Sequence, residues 1–471
     1  MSRSGLAELA QRGSPIHLMG VGGAGMAGLA LVLQARGGTV SGCDKTVNET
    51  TRGLEEKGIT VYAGHSPEHV DRVAALVHTA AVPAGHPELE AARRRGLLVL
   101  KRSEALGAMV NEGTLVAVAG THGKTTTSAL VALALEACGL DPTALVGGRV
   151  NAWGGNARIG SNRTFVVEAD EYDRSFLTLQ PDYALITSVE HEHLDTYVTL
   201  AEMEAAFDEF VDRVPELGRV IACVDDPGAR RCLVHAGARG LGYGTSHDAE
   251  LHAESISYEA RGTRFSARWR GQALGEFELA LRGQHNVRNA LAVIGVLLAL
   301  GLDAQAAAPS LAGFTGVERR FQAIGTVGGI DVLDDYAHHP TEVAATLETA
   351  RQAFGTRRLV VAFQPHLFSR TQAFAEEFGR ALARADLIFV TDIYPAREEP
   401  IPGITGELVA AAARVAAAAD RVRFVPGLKV LTEAVSRELT AGDVFMTMGA
   451  GDITRVAYAV IDELEGSDVD A

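Results

Sequence analysis

Apolar residues in this chain follow two rhythms. Short runs at 16–19, 40–43, 73–78 and 97–100 alternate with longer stretches in which apolar positions recur three or four residues apart, as in Met26, Leu29, Ala30 and Leu33. The first rhythm predicts buried strands and the second predicts helices packed over them. With a helix over 88–95, residues 1–108 read as a Rossmann-like unit. The pattern restarts with strands at 115–119, 164–168, 183–187 and 219–223, and Leu130, Leu133, Ala134 and Ala137 carry a helix after the first of them. Beyond Tyr243 the spacing becomes strict alternation. Phe265, Ala267 and Trp269 share a face, which predicts a small antiparallel extension. A glycine-rich hinge at 313–316 leads to a third unit with strands at 330–333, 359–363, 387–390 and 444–448. The alanine-rich tract 410–419 reads as an ordinary helix, since alanine is the strongest helix former. The expected architecture is α/β in three domains: N-terminal Rossmann-like (1–108), central P-loop ATPase-like (109–312) and C-terminal Rossmann-like (313–471).

Composition narrows the class. The 471 residues, 47% of them hydrophobic, suffice for about three cores. No run approaches the roughly 18 apolar residues of a membrane helix, and the first fifteen residues lack an apolar leader, so a cytoplasmic protein is expected. A net charge of −16 disfavours nucleic acid as a partner. Cys43, Cys138, Cys223 and Cys232 are few and irregularly spaced, which suits a reducing compartment and argues against a zinc knuckle or redox pair. Lysine is scarce: Lys45, Lys57, Lys101, Lys124 and Lys429 are all there are, against 38 arginines.

Two glycine-bounded loops carry the candidate chemistry. Gly120-Thr121-His122-Gly123-Lys124-Thr125-Thr126 links a predicted strand to a predicted helix, so backbone N–H groups and a helix N-terminus converge where phosphate oxygens would bind. Lys124 would reach the terminal phosphates of ATP and Thr125 would hold Mg²⁺. Val118 stands where the strict pattern has glycine, so the loop is a shortened variant. Earlier, Gly20-Val21-Gly22-Gly23-Ala24-Gly25 completes G-x-G-x-x-G, and Asp44 falls nineteen residues past Gly25, near where a dinucleotide fold places its ribose-reading acid. Alone, that loop points to NAD.

Polar clusters follow the strands. Glu168-Ala169-Asp170-Glu171 and Glu190-His191-Glu192-His193 end apolar runs beside the P-loop, a setting that suits one or two divalent ions or a metallohydrolase. Gln284-His285-Asn286 opens a helix that also carries Asn289, and its amides can face adenine or cap the helix. The third unit offers Arg319-Arg320, Asp334-Asp335-Tyr336-Ala337-His338 and Gln364-Pro365-His366 with Arg370, arginine being suited to phosphate and carboxylate oxygens.

The segments GTHGKTTT, EADEYD, VEHEHLDTY, GQHNVRNALA, RRF, DDYAHHPTEV, FQPHLFSRT and GAGDI, with HLMGVGGAGMAG at the start, together resemble the Mur ligases. Among those, the resemblance is to the branch that joins L-alanine to UDP-N-acetylmuramate, and it spans about 16–455. It implies that the first loop binds a UDP-sugar diphosphate in place of NAD, with Gly22, Gly23, Gly25 and Asp44 at the UDP end. ATP would sit on Gly120 to Thr126, with His285, Asn289, Arg320 and Asp335 completing its site. Thr125, Glu168 and His193 would be the Mg²⁺ residues. Tyr336, His338 and Arg370 would bind the amino acid. Lys124, Glu168, His193, Arg320 and His338 would carry catalysis, in a monomer or homodimer acting on small molecules. Leu367, Ala27 and Ser188 depart from the family's usual arginine, serine and asparagine. The alternatives are a nicotinamide-dependent oxidoreductase, which leaves the P-loop idle, a sister ligase that attaches a recycled tripeptide to the same sugar nucleotide, and a non-catalytic nucleotide binder.

Overall fold

Burial on both faces makes the strands continuous apolar runs. Ile16, Leu18 and Met19 have no exposed surface, nor do Leu76 and Val77 beside them. In the computed structural model, which describes residues 5–259 and 262–469, the chain forms three sheets. The chain separates into one compact unit of Met1–Ile256, Arg264–Ala280 and Val287–Thr315, and another of Ser257–Thr263, Leu281–Asn286 and Gly316–Ala471.

The first unit holds two of the sheets. One is five-stranded and parallel, in the order Thr60–Ala63, Thr39–Asp44, Pro15–Met19, Ala75–His78, Leu98–Lys101. Strand order reverses at Pro15–Met19, so the glycine loop after it opens at the switch point where such sheets bind ligands. The other sheet has ten strands, with Thr114–Ala119 between Thr164–Glu168 and Tyr183–Ile186. Val118 pairs with Glu168 and Ala119 with Ile186. This register brings both polar clusters to the end of the sheet where the P-loop begins. The helix Ala24–Ala35 packs on the strand Thr143–Val150. Gly28 permits the approach, because a Cβ there would lie 2.7 Å from Leu145 Cδ2, and Asn156 Nδ2 donates to Ala24 O at 2.6 Å.

The alternating segment extends the central sheet at its edge. Leu251–Glu259, Gly262–Trp269 and Gln272–Leu279 continue the ten-stranded sheet, and the first of them enters parallel to Gly240–Gly244 through Tyr243 and Leu251. Its inward residues Phe265 and Phe277 stack at 5.6 Å. The second unit holds a six-stranded sheet in the order Gln322–Val327, Ile330–Asp335, Val444–Met448, Leu359–Phe363, Leu387–Val390, Val422–Phe424, parallel except for its first pair. The alanine-rich helix runs Glu407–Ala416, earlier than its composition suggests. Val409, Ala410 and Ala413 bury its apolar face, whereas Ala417 and Ala418 are already extended. Packing of that face, more than alanine content, sets the ends. Among the described residues no helix is long and apolar enough to cross a membrane.

Candidate active site

The P-loop is built around two glycines that no other residue replaces cheaply. Gly120 has φ +129° and Gly123 φ +77°, and added Cβ atoms would meet Thr187 Oγ1 at 2.2 Å and Asn289 Oδ1 at 2.8 Å. Not every amide in the loop faces a ligand. Thr121 N–H donates to Ser188 O (2.9 Å) and His122 N–H to Ser188 Oγ (3.1 Å), so these two are committed to the neighbouring strand end. Gly123 then caps the helix Lys124–Ala137 without a side-chain hydrogen bond, leaving the first-turn donors to face the loop.

Lys124 folds back over the loop. Its Nζ donates to Gly120 O (2.6 Å) and to both oxygens of Glu171 (2.8 and 2.9 Å). Burial disfavours its charge, but Glu171, Asp170 and Glu168 outweigh this and hold its pKa above the ordinary value. Burial likewise works to raise Glu171, yet Lys124 and His193 hold its pKa below the usual carboxylate range. His193 Nε2 lies 3.4 Å from Glu171 Oε1; burial opposes its protonation, and the bond to Glu171 raises its pKa nonetheless. Glu171 is thus the hub of the site, although nothing along the chain favours it over Glu168 or Asp170.

Glu168 sits on the other side of the loop. Thr125 Oγ1 donates to its Oε1 at 3.1 Å and Gly147 N–H to its Oε2 at 2.5 Å. Burial pushes its pKa up, opposed in part by Gly147, Lys124 and Thr125. Of the expected metal residues, Thr125 and Glu168 therefore meet directly, while His193 pairs with Glu171 and lies with Glu171 and Asp170 in a group whose ligand atoms are within 4.8 Å of one another. Hydroxyl and carboxylate oxygens fit a hard divalent cation, whose charge would offset the burial that pushes the Glu168 pKa up.

A cavity of about 510 Å³ runs from the N-terminal glycine loop to the acidic strand end beside the P-loop. Gly20, Gly23, Gly25, Asp44, Lys45 and Arg102 line one end and Glu168 and Asp170 the other. Gly22 is not on its wall: Gly22 N–H donates to Asp44 Oδ2 (2.9 Å), and Asn48 Nδ2 donates to Gly22 O (3.3 Å). Gly22 and Asp44 thus fasten the loop to the second strand, and Asp44 also faces the cavity. Lys45 and Arg102 escaped the sequence reading because neither lies in a motif. Arg102 comes close to the glycine loop only in three dimensions, where its Nη1 would be 3.0 Å from a Cβ on Gly25.

Within the second unit the C-terminal candidates form one cluster. Arg319 and Arg320 lie over the Tyr336 ring, 5.0 and 5.1 Å from its centroid, and Arg320 Nη1 is 3.7 Å from Glu342 Oε1. His338 packs edge-on against Tyr336 (5.2 Å) and His366 (5.8 Å), while Arg370 Nη1 donates to His366 Nδ1 at 3.0 Å. His366, stacked on Tyr394 at 5.8 Å, joins His338 to Arg370, although the family resemblance assigns it no role. Asp335 is committed to the fold. It accepts from Phe321 N–H (2.7 Å), Ala337 N–H (2.8 Å) and Thr346 Oγ1 (3.3 Å), which places the backbone on either side of Arg320 and Tyr336. In the same unit, His285 Nε2 is 3.0 Å from Asn286 Nδ2. Asn289, on the first unit, abuts Gly123.

Three family models cover most of the chain: "Mur ligase family, catalytic domain" over residues 15–114, "Mur ligase middle domain" over 118–297, and "Mur ligase, glutamate ligase domain" over 319–451. The chain belongs to the Mur ligase family. Among Mur ligases it is 44% identical over 456 residues to the UDP-N-acetylmuramate--L-alanine ligase of Salinibacter ruber, covering 96% of this chain and 95% of the relative. It is 47% identical to the enzyme of that name from Kineococcus radiotolerans, with 95% and 96% covered. The crystal structure of UDP-N-acetylmuramate-alanine ligase MurC from Thermotoga maritima superposes with a TM-score of 0.81 at 29% identity, covering 96% of this Mur ligase and all of that chain. A murein peptide ligase from Psychrobacter arcticus superposes less well, with a TM-score of 0.70 at 25% identity over 95% of this chain and 99% of its own.

Proposed function

We infer that the protein is an ATP-dependent ligase that joins L-alanine to the lactyl carboxylate of UDP-N-acetylmuramate in peptidoglycan precursor synthesis. The observation that carries this reading is the cavity running from the N-terminal glycine loop to Glu168 and Asp170 beside the P-loop. A sugar nucleotide gripped at one end presents its carboxylate at the other. We assign residues 1–108 to the UDP-sugar, 109–312 to ATP, and 313–471 to the amino acid and completion of the ATP site.

The γ-phosphoryl group passes from ATP to a carboxylate oxygen, giving an acyl phosphate and ADP. The amine of L-alanine then attacks the acyl carbon, phosphate leaves, and the amine gives up a proton. Transfer between two anions depends on alignment and charge neutralisation. Lys124 turns its ammonium to the phosphates, and the Gly123 to Thr126 amides hold their oxygens. Thr125 and Glu168 would hold Mg²⁺, with Asp170 and His193 close by; the ion, when bound, neutralises charge on the transferring group. Gly23, Gly25 and Asp44 hold the UDP end with Lys45 and Arg102, and Gly22 acts through Asp44. His285, Asn289 and Arg320 serve the nucleotide, with Asp335 positioning Arg320. Tyr336, His338 and Arg370 take L-alanine. We place the reaction in the cytoplasm, carried out by a monomer or homodimer.

Phosphate release with UDP-N-acetylmuramate, ATP and a panel of amino acids tests the assignment. L-Alanine should support turnover. Ligation of a stem tripeptide in preference to L-alanine would move the protein to the sister activity.

A further inference from the structure

Behind the sugar-nucleotide cavity lies a second cluster, to which the ligase reaction gives no task. His17 from the strand Pro15–Met19, Cys43 from Thr39–Asp44, His69 from the turn Pro67–Val70 and Glu88 from the helix Pro87–Arg94 each offer one ligand atom, and these atoms lie within 4.8 Å of one another. His17, Cys43 and Glu88 have no exposed surface. His17 Nε2 and His69 Nδ1 each lie 3.2 Å from Glu88 Oε1, and Cys43 Sγ lies 3.5 and 3.6 Å from the two Glu88 oxygens.

The separations from Glu88 match those within a tetrahedral metal site. A zinc ion with nitrogen and oxygen ligands about 2.0–2.1 Å away and sulfur about 2.3 Å away holds its ligand atoms roughly 3.3–3.6 Å apart. Two further observations point the same way. His17 Nε2 is buried and makes no hydrogen bond of acceptable geometry although it faces Glu88. The opposite ring nitrogen, Nδ1, is 2.8 Å from Ser41 Oγ, the kind of outer partner that fixes a metal-bound imidazole. His65 Nδ1, 3.1 Å from Cys43 Sγ and 3.4 Å from Glu88 Oε2, closes the cluster on the side where His65 lines the cavity.

We propose that His17, Cys43, His69 and Glu88 bind a structural zinc ion, with His65 and Ser41 as outer partners. A thiolate with imidazoles selects zinc over the magnesium that serves the P-loop. Binding releases one proton from Cys43 Sγ to solvent, and the thiolate and carboxylate then balance the dication. The ion ties two strands, a turn and a helix of the N-terminal domain together. It also fixes the strand end at Asp44, which holds the glycine loop through Gly22.

The test uses the full-length protein stripped with a strong chelator and reloaded with Zn²⁺ or Co²⁺. One equivalent of zinc should bind and raise Tm, and cobalt should give a near-ultraviolet thiolate charge-transfer band with visible bands of tetrahedral strength. Cys43→Ser should abolish the charge-transfer band and weaken zinc binding at least about tenfold, whereas Cys138→Ser should change neither. The Asp170, Glu171 and His193 group has no sulfur, so that band separates the two places. Should Cys43→Ser fail to fold, His69→Gln should keep the charge-transfer band, lose tetrahedral intensity and bind zinc more weakly. Stripped protein that takes up cobalt without a thiolate band, or zinc affinity unchanged in the variant that folds, overturns the site and leaves a cluster held by protons alone.

Discussion

Lys124 is held by a partner with no exposed surface, and that pairing decides what its removal does. Lys124→Ala removes the ammonium from the transferring phosphoryl group, which should slow ligation about a hundredfold or more. It also leaves Glu171 buried with His193 beside it and its lysine partner gone. Breaking one side of such a pair costs on the order of 3 kcal/mol, so Tm should fall as well. Adding Glu171→Gln should restore much of the Tm and none of the rate. Titration calorimetry should find UDP-N-acetylmuramate binding nearly intact in Lys124→Ala. A variant with wild-type turnover would take the P-loop out of the mechanism, and a double variant no more stable than Lys124→Ala would show that Glu171 is satisfied some other way. The lysine itself was plain in the sequence because GTHGKTTT is contiguous. Glu171 was not, since three acids follow one strand and only the fold shows which carboxylate turns toward Nζ.

At the scale of elements, the glycine loop and the strand end Asp44 act as one piece. A Cβ at Gly22 would lie 2.9 Å from Asp44 Oδ2 and 3.0 Å from Asn48 Nδ2. Gly22→Val should therefore displace Asp44 and abolish sugar-nucleotide binding while ATP still binds. Calorimetry with each ligand separately checks this; loss of ATP binding alone would reverse the assignment of the two loops. In the second unit, the strand Ile330–Asp335 ends in a carboxyl pushed up to about 6, mainly by burial, with Arg320 and the Phe321 and Ala337 N–H groups opposing. The unfolded chain titrates this group near about 4, so the folded state favours the protonated form. Its contribution to stability is full below about 4 and is lost as pH rises through about 6. Between pH 5 and 8 the urea midpoint of the wild type should consequently drop by more than that of Asp335→Asn. Equal slopes would free Asp335 of this role. Sequence rhythm placed these strands to within a residue or two, because burial on both faces leaves a continuous apolar run. In the alternating segment 251–279, period-2 spacing defines the strands of an extension but not the parallel pairing through which they enter the sheet.

Across the whole molecule, the motifs legible in sequence are those whose partners are neighbours in the chain. His17, Cys43, His69 and Glu88 come from four segments with no ligand spacing, and Arg102 reaches the glycine loop from the far edge of the first sheet, so neither could be read without the fold. An absence along the chain is equally informative. Some Mur ligases that add later residues hold a second metal ion with a lysine carboxylated by CO₂, and a carbamate requires a lysine amine. No lysine occurs here between Lys124 and Lys429. Lys124 is itself held by both oxygens of Glu171, and its pKa lies above the ordinary value, so the amine is kept protonated and unable to attack CO₂. On the proposed reading, the central domain therefore has no side-chain amine to modify, and side chains such as Glu168 and His193 would serve any second Mg²⁺. Activity in bicarbonate-depleted buffer should equal that with bicarbonate restored at fixed pH. A CO₂ requirement reversed by bicarbonate would mean that the metal residues have been misread.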